Sequence, residues 1–357
     1  MTYHAQNMAN EFLKRDYPVY FVERLPQRLP STPLSDLRQW IFKKGYGNEQ
    51  IINISPANLE VLGFRSLPPV QWLRLINRAI LKNAFAPHQA KLQQGKILLI
   101  SYTPTYTHID LAALLRPSQS VYISVHNYDA FPVLPDLLKA EARIINSDTV
   151  LMADSAFNVA RLKRLAALGK PVYQLPPGVD YSQFSRANTG RPSQYKSLCY
   201  FGGIGSHLDL ELYNTLAETL EVTFIGVTDN QVKHLLSPRI KRMPPVPARE
   251  LPDLLAAIDI LGIFYKKSPY IDGVIPAKFF ECLATGKPLL VSGMDETKPY
   301  SRMVYECGNS VHTALNIIAS LPNTETAEQL SSRQKLARTA CWDNRYAELM
   351  TALNCTT

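Results

Sequence analysis

At 357 residues the chain is long enough for two domains and a sizeable core. Apolar residues make up 46% and charged residues 19%, an ordinary balance for a soluble globular protein, and no apolar run approaches the roughly 20 residues of a membrane span. Five scattered cysteines (Cys199, Cys282, Cys307, Cys341, Cys355) form no Cys-x-x-Cys pair, which points to reduced thiols rather than a disulfide framework or a zinc site. The start, Met1 to Asn7, has neither the basic end nor the apolar core of a signal peptide, and the unpaired cysteines lead to the expectation of a cytoplasmic protein. The net charge of +8 is uneven. Residues 1–180 hold 20 Lys+Arg against 13 Asp+Glu, and residues 181–357 hold 18 against 17. The basic first half suits an anionic partner such as nucleic acid, a membrane surface or a phosphorylated lipid, or is simply a solvated face.

In chain order, the spacing of Ala5, Met8, Ala9, Phe12 and Leu13 predicts a helix over 5–16, followed by a strand at Pro18–Val22. A Pro- and Ser-rich loop covers 26–35, a short strand is expected at Ile51–Ile54, and Leu67-Pro68-Pro69 leads into a helix from Trp72 to Phe85. Further strands are expected at Lys96–Ser101, Ser120–Val125, Thr149–Met152 and Val172–Leu175, with a loop at Tyr102–Tyr106 after the first of them. Helices are expected at Asp136–Asn146 and from Ser155, as N-cap, to Leu168. A polar linker at 185–196 precedes a second alternating series. Its strands are at Ser197–Phe201, Val222–Ile225, Ile240–Met243 and Asp259–Phe264, with helices at 208–220 and 249–257. A polar stretch at 320–328 precedes an amphipathic helix from Gln329 to Leu353, broken near Trp342. Alternating strands and helices predict parallel sheets covered on both faces, in two doubly wound α/β domains.

The most informative segment is Pro276-Ala277-Lys278-Phe279-Phe280-Glu281, continued by Ala284-Thr285-Gly286-Lys287-Pro288 and an apolar strand to Val291. Lys278 and Glu281 lie one helical turn apart. A cation near a helix N-terminus suits a phosphate, and a carboxylate one turn on suits the two hydroxyls of a ribose. A solvated ion pair on an ordinary helix is the plain alternative. Gly202, Gly203 and Gly205 follow one strand, Gly226 another, and Tyr265 a third, so all of these could gather with Lys278 beyond the carboxyl ends of a sheet. A tight strand-to-helix turn explains the glycines equally well. In the first half, His126 and Asp129 follow a strand, and either could remove a proton from an attacking hydroxyl. Asp129 could instead cap a turn, and His126 could bond a neighbouring loop. Tyr102, Thr103, Thr105 and His108 crowd another strand end, as substrate contacts or as a polar loop. No Asp-x-Asp triad, P-loop, nucleophile elbow or His-Glu-x-x-His motif occurs.

These residues resemble a GT-B glycosyltransferase, similar to the bacterial enzymes that build cell-surface polysaccharides such as exopolysaccharide or teichuronic acid. The resemblance covers most of the chain from about Gln6. It rests on Gln6–Arg15 with Val19–Val22, on Tyr122–Phe131, on Leu175–Phe184 with its Gly178-Val179-Asp180, on Arg249–Asp259, on Pro276–Ser292, and on a terminal helix containing Trp342-Asp343-Asn344-Arg345. The resemblance implies two Rossmann-like domains facing across a cleft. Residues 1–185 would bind the acceptor, 186–335 the nucleotide sugar, and 336–357 would form a helix returning to the first domain. It implies transfer from a nucleotide diphosphate sugar, most often a UDP-sugar, as substrate, with no metal or other cofactor. The acceptor would be lipid-linked or a polysaccharide, met at the inner face of an anionic membrane by a peripheral protein. Lys278 would meet the diphosphate, Glu281 the ribose, and Gly202–Gly205 the phosphates. Gly226, Tyr265, Pro276 and Ala277 would complete the donor side. Tyr102, Thr103, His108 and Tyr128 would face the acceptor, with His126 or Asp129 as base. Gly273, beside Asp272, stands where many retaining relatives carry a further glutamate. His126 and Asn127 stand where many relatives carry paired acids, and the family's first strand is missing upstream of Gln6. A non-catalytic nucleotide-sugar or carbohydrate-binding protein, or a nucleotide-sugar epimerase, are the other expectations on this fold. A nucleic-acid binder is not expected, because the basic residues are interleaved with core strands.

Overall fold

The computed structural model describes residues 4–22, 58–62, 71–130 and 136–354. The expected loop at 26–35, the strand at Ile51–Ile54, the Leu67–Pro69 approach and Phe131 lie outside these residues. Contacts divide the chain into two compact units. One holds Met1–His4 and Pro176–Arg345; the other holds Ala5–Leu175 and Tyr346–Thr357.

The second of these begins with helix α1 (His4–Leu13), most of which it contains, and strand β1 (Val19–Val22), which pairs in parallel with β2 (Leu59–Leu62). A separate four-stranded parallel sheet follows, in the order β3 (Leu98–Ser101), β4 (Gln119–Ser124), β5 (Val150–Ala153), β6 (Val172–Gln174). Its helices are α2 (Arg74–Phe85), a short α3 (Gln89–Leu92), α4 (Tyr106–Leu115), α5 (Leu137–Ile145) and α6 (Ala156–Leu165). Ser155 caps α6 by accepting from Asn158 N at 3.3 Å. Helix α4 was not expected. Its apolar residues surround it almost evenly, so it shows no helical stripe in sequence. It ends at Arg116 in the left-handed region, φ 48°.

The other unit holds a six-stranded, all-parallel sheet in the order β12–β11–β10–β7–β8–β9, where β7 is Ser197–Phe201, β8 Glu221–Ile225, β9 Lys241–Met243, β10 Ile260–Phe264, β11 Leu289–Ser292 and β12 Tyr305–Glu306. Every residue of β7, β10 and β11 is buried, as continuous Val/Ile/Leu-rich strands covered on both faces require. Its helices are α7 (Tyr181–Phe184), α8 (Leu210–Leu216), α9 (Leu251–Ala256), α10 (Lys278–Thr285), α11 (Val311–Thr324) and α12 (Ala327–Thr339). Part of the expected polar stretch at 320–328 is therefore the last turn of α11. Ala314, Ile318 and Leu321 bury at helical spacing there despite Pro322. A capping box between Thr326 and Gln329 starts α12. The predicted break near Trp342 separates α12 from α13 (Trp342–Asn354). Trp342 packs on Gly178, where a Cβ would come within 2.5 Å of the indole. From Tyr346 onward α13 groups with the four-stranded unit. There Arg15 covers the Tyr346 ring at 4.0 Å and Gln119 donates to Leu353 O at 3.1 Å.

Candidate donor site

Numbered within its own unit, the six-stranded sheet has the order 3-2-1-4-5-6. The strand order therefore reverses between β7 and β10, whose carboxyl ends open the crevice where such sheets hold ligands. Tyr200 comes from β7, Tyr265 follows β10, and Lys278 opens α10. The Lys278 ammonium donates to Tyr200 Oη at 2.7 Å and Tyr265 Oη at 3.4 Å, and lies 4.3 Å from the Tyr200 ring centroid. Tyr200 Oη in turn donates to Gly203 O at 2.9 Å. Burial pushes both phenols well above their ordinary range, so both remain neutral hydroxyls.

Lys278 is 6% exposed and forms no ion pair with a carboxylate among the described residues. The solvated Lys278–Glu281 ion pair is thereby overturned. Seven of the eight residues of α10 are buried, and Glu281 alone keeps a partly exposed side. Burial pushes its carboxyl up to about 7, with the Lys278 charge pulling the other way, and it accepts no hydrogen bond from a described residue. A buried cation with no counter-ion, and a carboxylate with no donor, among the described residues are costly unless something else completes them.

The backbone around them is drawn close. Gly202 and Gly226 meet so tightly that a Cβ at Gly226 (φ 150°) would lie 1.9 Å from Gly202 O. A Cβ at Gly293 (φ 74°) would lie 2.0 Å from Tyr265 O. Asn309 fixes the same loop, donating to Tyr265 O at 3.0 Å, Ser292 Oγ at 3.2 Å and Asp209 Oδ2 at 2.8 Å. Gly202, Gly203, Gly205, Gly226, Tyr265, Pro276, Ala277 and Lys278 all lie at this strand-end cluster or in the segments that form it. Three contributors escaped the sequence reading: Tyr200, whose strand position hid a polar role, Asn309, and His207.

The four-stranded unit treats its candidates differently. His108 is 4% exposed. Its Nδ1 meets Ser101 Oγ at 2.7 Å and its Nε2 meets Ser120 Oγ at 3.2 Å, and burial pushes its pKa down to about 4. It is a satisfied interior histidine and not an acceptor contact. Tyr128 is buried and donates to Tyr102 O at 2.9 Å, tying two expected contacts to each other. Thr103 is half-buried, with its carbonyl accepting from Thr105 N. Asp129 accepts from Arg161 Nη2 at 2.7 Å, which holds its carboxyl below the usual range. Arg161 also binds Glu141 through both nitrogens, at 2.8 and 2.6 Å, and Tyr122 donates to Glu141 at 2.7 Å. His126 lies edge-on to Tyr128, with centroids 5.8 Å apart.

Parallel sheets in two Rossmann-like units, with a strand-end site at the switch point of the larger sheet, define the GT-B fold. No protein-family model matches the chain. Over 236 residues it is 30% identical to a protein described as a teichuronic acid biosynthesis glycosyltransferase, TuaH, of Bacillus subtilis. That match takes in 59% of this chain and 58% of the relative, less than two thirds of its length. Sucrose-phosphate synthase of Thermosynechococcus elongatus superposes with a TM-score of 0.69 at 13% identity, over 99% of this chain and 92% of that one. Anabaena HepE in complex with UDP and glucose superposes with a TM-score of 0.67 at 14% identity, over 99% and 95%. At these identities the structural likeness carries the fold alone.

Proposed function

We propose that this protein is a glycosyltransferase. It takes a sugar from a nucleotide diphosphate donor, in first place a UDP-sugar, and delivers it to a lipid-linked or polysaccharide acceptor in cell-surface polysaccharide biosynthesis. The carrying observation is the Lys278 ammonium, buried at the switch point between two tyrosine hydroxyls with no carboxylate partner among the described residues. The likeness to the Bacillus subtilis relative and to a fold neighbour holding UDP supports the same reading. Lys278, at the opening of the eight-residue α10, meets the diphosphate and stabilises the charge that grows on it as the glycosidic bond breaks. Glu281 accepts from the ribose hydroxyls, and the bare backbone at Gly202, Gly203 and Gly226 lets the phosphates approach. Charge compensation falls to Lys278 without a metal. His126 and Asp129 are the candidate proton acceptors, and Asp129 is held by Arg161.

A calorimetric panel of nucleoside diphosphates tests this. UDP is expected to bind ahead of ADP and GDP. Lys278→Met is expected to weaken UDP about thirty- to hundredfold, the loss of a charge-assisted bond worth about 2–3 kcal/mol. Equal binding by the variant, or none by the parent protein, would overturn the site. A non-catalytic nucleotide-sugar-binding protein is the second reading, favoured by the engagement of Asp129. UDP binding without donor hydrolysis or transfer on any acceptor would single it out.

Contact with an anionic lipid surface belongs to the same proposal. Trp72 and Leu75 are 74% and 78% exposed, Ile76 is exposed beside them, and Arg78 and Lys82 add exposed positive charge. No helix of the described residues is long and apolar enough to cross a membrane. The protein is expected to sediment with phosphatidylglycerol vesicles and to stay in solution with phosphatidylcholine, and Trp72→Ser with Leu75→Ser is expected to abolish the difference. Sedimentation unchanged by the double substitution would remove this surface from the proposal.

A further inference from the structure

We infer that His207 is a further contact of the donor diphosphate and that its ring takes up a proton when the diphosphate arrives. The inference rests on the donor-site reading above and adds to it a residue outside the glycine and Lys-x-x-Glu motifs. His207 lies in the loop after β7, two residues beyond Gly205. Its ring meets Tyr265 edge-on, with centroids 5.2 Å apart at 75°. Lys266 N donates to His207 O at 2.9 Å and Leu208 bridges to Tyr265, so the loop is pinned against the segment that follows β10. On its other side a Cβ at Gly205 would come within 3.2 Å of Nδ1, so glycine leaves the imidazole its room. Tyr265 is the residue that Lys278 reaches at 3.4 Å. The half-buried imidazole therefore shares Tyr265 with the cation assigned to the diphosphate, and neither ring nitrogen has a hydrogen-bond partner among the described residues.

The charged and phenolic groups of the donor-site cluster and of the histidine's own loop come from four segments. Lys278 and Glu281 stand on α10, and the neutral phenols of Tyr200 and Tyr265 come from β7 and the end of β10. Lys266 follows Tyr265. Asp209, on the histidine's own loop, is engaged by Asn309 at 2.8 Å and by Leu212 N at 3.1 Å. Burial, and then the field of Lys278, push the ring down to about 4. At neutral pH the free protein thus holds an imidazole with one N–H to donate and no positive charge. A diphosphate beside Lys278 cancels that field, brings negative charge of its own and accepts from the ring. All three raise the ring's proton affinity. The balance is one imidazole and one proton from solvent giving one imidazolium, reversed when the nucleotide leaves. The histidine then works as a cation present only with the donor, which avoids a second positive charge near Lys278 when no nucleotide is bound.

Calorimetry of UDP binding to the full chain at about pH 6, in buffers of different ionisation heat, reads the proton directly. Proton uptake is expected for the parent protein and a clear reduction for His207→Gln. Affinity should fall about three- to tenfold near pH 6 and less at higher pH. Ring resonances of the seven histidines, followed with pH in the unsubstituted protein, give a second measurement that needs no variant. One ring silent near pH 6 without UDP should titrate there in its presence. Tight UDP binding with the same proton uptake in parent and variant, or no ring changing its titration, would overturn the inference and leave the donor site standing. Absence of UDP binding in the parent protein would sink both.

Discussion

Two buried cations, Lys278 in the six-stranded unit and Arg161 in the four-stranded unit, stand in opposite electrostatic situations. Arg161 is held by two carboxylates, Glu141 and Asp129, with Tyr122 completing the cluster. Lys278 has two neutral hydroxyls, and the nearby Glu281 carboxyl is itself pushed towards its protonated form. A closed cluster has no electrostatic reason to bind anything, and its members lock α5, α6 and the 128–130 turn together. An open one, such as Lys278 with no carboxylate partner among the described residues, gives an anionic ligand something to relieve. This difference, more than the presence of charged residues at strand ends, separates a structural network from a candidate site.

The same substitution at both positions gives the largest expected effect. Arg161→Met strands Glu141 at 1% side-chain exposure and should cost about 3–5 kcal/mol in urea unfolding. Lys278→Met should be neutral or stabilising, because it removes a desolvated charge that no described carboxylate pairs. Equal destabilisation by the two would make Lys278 a structural ion and break the comparison. A smaller effect belongs to Glu281, whose carboxyl is raised from 4.5 to about 7 in the folded protein. A raised folded-state pKa favours folding while the group is protonated. The contribution is therefore complete below about pH 4.5 and lost as pH rises through about 7, by no more than about 3 kcal/mol. Glu281→Gln should flatten that part of the stability–pH curve. A curve of unchanged shape would show that the carboxyl is solvated and that the site is less closed than its geometry indicates.

Much of the fold was legible in local pattern. Ser197–Phe201, Asp259–Phe264 and Pro288–Val291 read as buried strands because continuous apolar runs bounded by polar turns have few other uses. The helix from Lys278 to Gly286 was legible from a proline before it and a glycine in the left-handed region after it. Helix α4 was not, since an apolar segment without a polar face carries no period, and β12, at two residues, is too short to show one. On the site, Lys278, Glu281 and the glycines stood out by type and spacing. His108 stood out for the same reason and proved to be interior, because residue type does not reveal which side of a loop is solvated.

The sequence by itself therefore determined the alternation of strands and helices, the two-part organisation, and the place of a cation and a carboxylate one turn apart. These are local properties, set within a few residues by periodicity, caps and turns. Only the tertiary structure decided the strand order that puts the switch point between β7 and β10. The same order brings Lys278 onto Tyr200, 78 residues away, and His207 onto Tyr265. Proton affinities belong to that second category as well. Burial and the field of a neighbour distant in sequence raise Glu281 and lower His207, and neither cause exists until the chain has packed.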